Sequence, residues 1–265
     1  MINLKNKSFE IRNLILDIFI GGGRGHVPSA FSLVEILVTL YYQRFNPTLE
    51  DSESLDRDRI ILSKGHGCLA LYSVLADRGY FAKEEFQKFC KVGGILGGHP
   101  SRKRVPGVEV STGSLGHGLS VGIGMAVSLK RKKIERKVVV ILGDGECNEG
   151  SIWEAALSAS KNKLNNLIVI IDHNKLQSYG TTDEVCSLHP FDKKWESFGF
   201  ETFEVDMINS PEGLLPLLEN KDLPRAIICH TLKGQGHQLL ENNLSWHHKN
   251  KISNEEEKIL REGLK

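Results

Sequence analysis

The sequence predicts a doubly wound α/β domain in which helices cover both faces of a mostly parallel sheet. Four short segments are apolar and rich in β-branched residues, which is typical of parallel strands buried on both faces. They are residues 59–62, 138–142, 167–172 and 226–229. Helical stretches between these segments indicate right-handed crossovers between parallel strands.

Helices are predicted where apolar residues recur at helical spacing. These segments are 30–43, 68–77, 115–131 and 151–161, preceded by an amphipathic helix around Ile11, Leu14, Ile15 and Ile18. Stretches rich in Gly, Pro, Asp and Ser predict loops at 45–57, 93–107 and 179–189. These loops are too short to separate independent domains, so we expect residues 1–265 to form a single domain with a polar tail after Trp246.

The composition argues against several classes of protein. Lys plus Arg number 34 against 33 for Asp plus Glu, so the chain lacks the basic excess expected of a nucleic-acid or anionic-lipid partner. No apolar run approaches the roughly 20 residues of a membrane span, and charges interrupt the N-terminal helix, so neither a span nor a signal peptide is expected. Five cysteines without a C-x-x-C pair favour reduced thiols in the cytoplasm.

The most informative segment follows two of the predicted strands. Residues 138–142 lead into Gly143-Asp144-Gly145, and the strand at 167–172 ends just before Asn174. Ligands of open α/β sheets gather at the carboxyl ends of strands, so Asp144 and Asn174 should project into one crevice if these strands are neighbours. Carboxylate and amide oxygens suit Mg²⁺ or Ca²⁺, and such an ion would recruit phosphate oxygens.

Two other glycine-rich phosphate-binding motifs do not fit this segment. A dinucleotide fingerprint starting at Gly143 requires Gly or Ala where Asn148 stands. A P-loop running from Gly145 to Gly150 requires Lys where Ser151 stands. Neither NAD nor ATP is therefore indicated.

The same segment resembles the motif of thiamine diphosphate enzymes, in which GDG is followed at a distance by Asn. GDGECNEGSIWEA together with DHNKLQSYG resembles transketolases, especially those made of two chains. Further segments match in the family's order: GRGHVPSA, LSKGHGCLALY, GGHP, STGSLGHGLSVGIGMA and TLKGQGHQLLENNLSWHHK. The matches span residues 21–248, so the resemblance implies the thiamine diphosphate-binding fold for most of the chain.

The resemblance implies roles for the cofactor-binding residues. It assigns a Mg²⁺ ion, or Ca²⁺, to Asp144, Asn174 and the backbone carbonyl of Leu176, and it places the diphosphate against Gly145. A glycine suits that position because the absence of Cβ lets a phosphate approach the chain. The remaining cofactor contacts that it implies are His66 and His247 on the diphosphate side, and Gly113, Ser114 and Leu115 along the thiazolium and aminopyrimidine.

Other residues match positions that act on the substrate. His26 and His99 correspond to histidines facing the sugar, and His247 also matches a catalytic position. Glu149, also expected to be catalytic, corresponds to a family carboxylate buried near the contact between paired subunits. The cofactor would attack a ketose carbonyl, and a two-carbon unit would pass to an aldose acceptor.

Several polar residues have structural alternatives. For Asp144, the alternative to binding a metal is the ordinary structural role of capping a helix or a turn. His117 and His248 stand where the family usually has Gln and Gly. The remaining histidines are expected to be surface or structural residues; they are His173, His189, His230 and His237.

In the full-length family, a second domain supplies the carboxylate that activates the cofactor and the arginines that grip the sugar phosphate. The present sequence ends at residue 265, after the first domain's motifs. We therefore expect a partner subunit with the pyrimidine-binding domain in an α2β2 assembly, acting on sugars or sugar phosphates. The alternatives are an α subunit of a 2-oxoacid dehydrogenase, a ketol synthase subunit, or a non-catalytic homologue.

Overall fold

A computed structural model describes residues 2–219 and 222–264 of the chain. Within these residues, five strands form one sheet in the order β1-β2-β3-β5-β4, and every neighbouring pair is parallel. The strands are β1 (Arg59–Leu62), β2 (Val138–Gly143), β3 (Leu167–His173), β4 (Glu201–Asp206) and β5 (Arg225–His230). The predicted α/β fold with a parallel sheet is confirmed.

Strand β4 was absent from the prediction, and its composition explains why. It lies at the edge of the sheet, and of its residues only Val205 is buried. Glu201 and Glu204 interrupt any apolar run, and Glu201 pairs with the Arg225 guanidinium of β5 at 2.5 Å. An edge strand tolerates such charges because one of its sides is open to solvent.

Helices surround the sheet and alternate with its strands. They are α1 (Leu4–Gly22), α2 (Val27–Phe31), α3 (Val34–Val38), α4 (Cys68–Asp77), α5 (Gly118–Arg131), α6 (Gly150–Lys161), α7 (Thr182–Cys186), α8 (Phe191–Ser197) and α9 (Asn254–Glu262). A π-helical turn, Thr39–Arg44, continues α3. Shorter 3₁₀ turns lie at Gly65–Gly67, Lys83–Lys88, Gly145–Asn148, Pro211–Leu218 and Leu244–Trp246.

The single helix predicted at 30–43 is divided in the structure. Helix α2 ends at Phe31 and α3 begins at Val34, with Ser32 between them. The hydroxyl of Ser32 donates to Asp172 Oδ2 at 2.6 Å, in the interior of the protein. The break therefore coincides with a polar contact to the end of β3, which helical periodicity does not reveal.

The helix predicted at 115–131 begins later than expected. Gly116 has a φ of 85°, in the left-handed region, so residues 115–117 form a loop before α5. A side chain at this glycine would also collide with Ser151, because an added Cβ would lie 2.4 Å from its Oγ. The predictions at 68–77 and 151–161 correspond closely to α4 and α6.

Two apolar layers enclose the sheet. Alternate residues of the strands point to opposite faces, so Val139 and Ile141 contact one layer, whereas Val138 and Val140 contact the other. The first layer includes α1, α2, α3 and α4, and the second includes α5, α6 and α8. We propose that the chain forms one domain around this shared sheet.

Two segments that were predicted as irregular contain short helices. Helix α7 lies within the loop predicted at 179–189 and begins with a capping box of Thr181 and Glu184. Helix α9 lies in the polar tail, is capped by Ser253 and Glu256, and buries Leu260 completely. In both helices the Ser or Thr side chain and the Glu side chain satisfy backbone N–H groups of the first turn.

The length and hydropathy of the helices decide whether one of them could span a membrane. In the part of the chain that the structure describes, no helix is both long enough and apolar enough to cross a bilayer.

Candidate functional site

A polar cavity of about 250 Å³ opens at the carboxyl ends of the central strands. It is lined by most of the residues that the sequence singled out: His26, His66, His99, Gly113, Leu115, Asp144, Gly145, Asn174, Leu176 and His247. Ser114 and Glu149 are exposed and do not line it. We call this cavity the main pocket.

Asp144 and Asn174 meet because β2 and β3 are neighbours, with Gly143 opposite Asp172 in register. The Asp144 carboxylate accepts hydrogen bonds from the backbone N–H of Gly145 at 2.7 Å and of Lys175 at 2.6 Å. The first of these bonds caps the 3₁₀ turn that follows β2, so the structural alternative for Asp144 is also realised. A carboxylate oxygen accepts more than one bond, so this cap leaves acceptor capacity toward the pocket.

The chain after Asn174 turns back sharply. Lys175 has a φ of 65°, and the amide oxygen of Asn174 accepts a hydrogen bond from the backbone N–H of Leu176 at 3.1 Å. This turn brings the side chain of Asn174 and the segment of Leu176 to the same pocket wall. This wall therefore carries the Asp144 carboxylate, the Asn174 amide and backbone carbonyl oxygens.

Two buried lysines in this region lie within the matched motifs but were given no role from the sequence. Lys233 Nζ donates to the carbonyls of Leu176 at 3.1 Å and Gln177 at 3.0 Å, and it lies 2.8 Å from His247 Nδ1. Burial and the charge of Lys64 lower the pKa of Lys233 to about 8. The ammonium thus has three hydrogen-bond acceptors, all neutral, and brings positive charge to the pocket.

Lys64 is held by a buried carboxylate. Its Nζ lies 2.5 Å from Asp172 Oδ2, and both side chains are almost fully buried. The same carboxylate accepts hydrogen bonds from the hydroxyls of Ser32 and Thr231. Asp172, near the end of β3, therefore joins the segments that follow β1 and β5 with the break between α2 and α3.

The protonation of His247 follows from its neighbours. An ammonium group only donates, so the Lys233 contact makes His247 Nδ1 an acceptor and leaves the ring proton on Nε2. That nitrogen lies 3.0 Å from Ser178 Oγ, to which it donates. Burial first, then the Lys233 charge, lowers the pKa of His247 to about 4, so the ring is neutral at neutral pH.

His26 lies at the centre of a cluster of imidazoles. Its ring centroid is 5.5 Å from that of His66, 5.4 Å from that of His247 and 4.4 Å from that of His248. Burial first, and then the nearby groups His248, His247, His99 and Lys233, lowers the pKa of His26 to about 3. A neutral imidazole offers one donor and one acceptor, which suits recognition of hydroxyl groups.

The loop carrying Gly113 packs closely against His99. Gly113 has a φ of 148°, and an added Cβ would lie 3.1 Å from the His99 ring. Farther along the loop, Gly116 donates its backbone N–H to Glu146 Oε1 at 2.9 Å. Glu146 is buried, its pKa is raised by burial, and it also accepts bonds from Ser63 and the backbone of Gly143. Sequence reasoning assigned no role to this glutamate.

The other histidines lie in different environments. His173 is buried with Nδ1 3.3 Å from Asp144 Oδ2, and His237 is buried with Nε2 3.1 Å from the carbonyl of Leu260. His230 contacts Glu204, whereas His117 and His189 are exposed. His237 thus has the structural environment that was expected, whereas His173 contacts Asp144, a predicted metal ligand.

The donors at the rim can be tested against a divalent cation. Within residues 2–219 and 222–264, no three His, Cys, Asp or Glu side chains converge as a metal site. The available donors are the oxygens of Asp144, Asn174 and Leu176, which are hard ligands of the kind that Mg²⁺ takes together with phosphate oxygens and water. Gly145 stands beside them, and an added Cβ there would lie 2.9 Å from the Gln177 side chain. The site fits a cation shared with a phosphorylated ligand.

A parallel sheet with oxygen donors, buried lysines and neutral histidines over its carboxyl edge defines an α/β protein suited to a phosphorylated cofactor. The family described as "Transketolase, thiamine diphosphate binding domain" matches residues 5–264. The chain belongs to this family, as its motifs had indicated.

Relatives include both short and long proteins. Over 240 residues the chain is 42% identical to one of the subunits of apulose-4-phosphate transketolase from Actinobacillus succinogenes, covering 90% of this chain and 87% of that one. It is 36% identical over 249 residues to the SqwG subunit of 6-deoxy-6-sulfo-D-fructose transketolase from a Clostridium species, covering 93% and 90%. Human transketolase is 36% identical over 263 residues, which are 98% of this chain but 42% of that protein.

Solved structures agree with this relationship. Transketolase from Campylobacter jejuni matches with a TM-score of 0.90 and 28% identity, over 98% of this chain and 42% of that chain. Transketolase from Leishmania mexicana matches with a TM-score of 0.86 and 26% identity, over 99% and 44%. The prediction of a transketolase-family N-terminal subunit, similar to the corresponding subunits of two-chain enzymes, is confirmed.

Proposed function

We propose that this chain binds thiamine diphosphate with a divalent cation in the main pocket and transfers a two-carbon ketol unit together with a partner subunit. The observation that carries the proposal is the convergence of Asp144, Asn174 and Leu176 on one wall with His26 and His99 on another. The alternatives, another thiamine diphosphate enzyme or a non-catalytic subunit, have no specific observation in their favour.

The cation end of the site is built from oxygens and positive charge. Mg²⁺, with Ca²⁺ as the alternative, would be held by the side chains of Asp144 and Asn174 and the carbonyl of Leu176. Lys233 would add charge toward the diphosphate, since its ammonium has no carboxylate within hydrogen-bond distance among the described residues. Gly145 would permit close approach of the phosphate to the backbone.

The reacting end of the site is built from glycines and histidines. Bound thiamine diphosphate supplies a carbon nucleophile and an electron sink for breaking a bond next to a carbonyl. Gly113, Ser114 and Leu115 would position its rings, whereas His66 and His247 would contact its diphosphate side. His26 and His99 would bind substrate hydroxyls, and His26, being neutral, can accept a proton from one of them.

The remaining catalytic groups would come from a partner. The chain spans 42% of human transketolase, and its relatives of similar length are named as subunits. We propose a partner carrying the pyrimidine-binding domain, an α2β2 assembly and a cytoplasmic location. Glu149 is exposed beside the Gly116 loop, where contact with another subunit would cover it.

The relatives suggest a substrate class. Their names specify apulose 4-phosphate and 6-deoxy-6-sulfo-D-fructose, sugars that carry a phosphate or a sulfonate. We propose that a substrate of this enzyme is likewise a sugar with an anionic end group.

Reconstitution tests the proposed function. The purified chain of residues 1–265 should turn over no ketose, because we assign the activating carboxylate and the exclusion of water to the partner subunit. Adding the copurifying partner, thiamine diphosphate and Mg²⁺ should give ketol transfer, detected as the new ketose by mass spectrometry. Robust transfer by the chain alone would contradict its proposed role as half of an enzyme, and failure of the assembled protein to bind thiamine diphosphate would contradict the cofactor assignment.

A further inference from the structure

A second cavity, of about 300 Å³, adjoins the main pocket. The two share His26, His66 and His99 as a common wall. The second cavity is also lined by Arg24 and His248, which do not line the main pocket. These two side chains therefore lie next to histidines that we assign to the substrate.

The backbone fixes Arg24 and His248 with respect to each other. Gly25 and Lys249 form an antiparallel bridge with two hydrogen bonds, of 2.9 and 3.1 Å. This pairing sets His26 opposite His248, whose ring centroids are 4.4 Å apart. Part of the wall of the second cavity is thus formed by a backbone pairing between the segment after α1 and the segment before α9.

The second cavity has an unbalanced charge. Across the described ranges 2–219 and 222–264, the Arg24 guanidinium makes no ion pair and no hydrogen bond, and the cavity lining contains no Asp or Glu. After burial, the Arg24 charge is what lowers the pKa of His248. Within the described residues, the cavity therefore presents an exposed guanidinium without a partner beside four imidazoles.

We propose that Arg24 and His248 contribute to the subsite for the anionic end group of the sugar substrate, in addition to the arginines that the family resemblance assigns to the partner subunit. The proposal rests on the proposed function and names residues that would recognise the substrate class. Guanidinium N–H groups match the oxygens of a phosphate or a sulfonate, and the neutral imidazole adds one further donor. His248 stands where the family usually has glycine, so this chain has a side chain that its relatives commonly lack at this edge.

The test uses the assembled enzyme with three ketoses of equal chain length that carry a terminal phosphate, a terminal sulfonate or a neutral hydroxyl. Arg24→Gln should lower kcat/KM for the anionic substrates by about 10- to 100-fold, as expected for losing a charged hydrogen bond. With the neutral ketose the change should stay below about twofold. His248→Gly should act in the same direction, and the phosphate and sulfonate arms show which oxyanion is recognised.

Arg131→Gln is the matched control, since Arg131 is an exposed arginine of α5 that lines neither cavity. It should leave all three substrates unchanged, and thiamine diphosphate affinity should be unchanged in every variant. Equal losses with anionic and neutral substrates, or no loss with either, would overturn the subsite. If the wild-type assembly transfers no ketol unit, the proposed function is refuted instead. Calorimetric binding of the phosphorylated ketose then tests the subsite separately. The subsite is refuted if the Arg24→Gln variant binds this ketose as well as the wild type does.

Discussion

At the scale of single residues, Asp144 combines a structural and a proposed metal-binding role. Its carboxylate accepts backbone hydrogen bonds from Gly145 and Lys175 while lying on the pocket wall. Substitution by alanine would remove both the charge and these bonds. Asparagine keeps an acceptor and removes the charge, so it separates the two roles.

We expect Asp144→Asn to weaken Mg²⁺-dependent binding of thiamine diphosphate by about 2 kcal/mol or more, since a charged ligand is lost from a buried site. Isothermal titration calorimetry on the assembled protein measures this change. Asp56→Asn, at an exposed ion pair with Arg136, serves as the control and should bind normally. Unchanged affinity of a folded Asp144→Asn variant would refute the metal assignment.

His99 should affect the substrate rather than the cofactor. Because we assign it to substrate hydroxyls, His99→Ala is expected to lower kcat/KM for the donor ketose by about 10- to 1000-fold. Cofactor affinity should change little. Steady-state kinetics and cofactor titration on the same preparation check both expectations, and parallel losses of kcat/KM and affinity would show that the ring instead supports the Gly113 loop.

At the scale of secondary-structure elements, the sequence was most informative where one signal dominated. Strands β1, β2, β3 and β5 are apolar and buried, so composition was sufficient to place them. The exposed edge strand β4 carries charges, and its strand character arises from pairing with β5 rather than from its own residues. The break at Ser32 depends on Asp172, which is remote in sequence.

In the candidate site, too, some features could be predicted from the sequence and others depend on contacts between remote residues. Motif spacing brought Asp144 and Asn174 together correctly, because both follow neighbouring strands. Lys233 and Glu146 were missed, since their importance lies in contacts to Leu176 and Gly116 that no local pattern encodes. The available signal was that Lys233 and Glu146 are charged residues inside matched motifs. A charge that is buried needs partners, so such residues are candidates for a role in the site.

Helix α9 provides a prediction for a whole element. Its first turn is closed by the reciprocal bonds of Ser253 and Glu256, and the helix buries Leu260 against the core. Ser253→Ala should destabilise the protein by about 1 kcal/mol through loss of the cap. Urea denaturation measures the change, and Ser245→Ala offers an exposed comparison outside α9. An undiminished free energy of unfolding in Ser253→Ala would mean that α9 contributes little to global stability.

At the scale of the whole molecule, the histidine cluster should make stability depend on pH. The pKa of His26 is about 3 in the folded chain against 6.5 for a free side chain, so the unfolded state binds more protons between these values. This contribution is complete above about pH 6.5 and is lost as the pH falls toward 3. The groups facing His26 are His66, His99, His247, His248 and Lys233, all cationic when charged.

We expect the free energy of unfolding to fall by up to about 1 kcal/mol for each pH unit below 6.5 through His26, after allowing for its partial exposure. Urea titrations at pH 7 and pH 5 test this. His26→Asn should reduce the pH dependence of the free energy of unfolding. The raised pKa of Glu146 changes this free energy with pH in the opposite direction, but it does so in both proteins and therefore cancels from the comparison. Equal pH dependence in wild type and His26→Asn would contradict the assignment.

The buried carboxylate of Asp172 also bears on how the chain reaches its native form. Ser32, Lys64 and Thr231, which contact it, belong to three connections that are far apart in sequence. Displacing Lys64 would leave the buried carboxylate without its counter-ion, at a cost of several kcal/mol, and displacing Ser32 or Thr231 would remove one of its hydrogen bonds. The Asp172 carboxylate thus couples the placement of these three connections, because each native contact adds to the stability of the same buried charge.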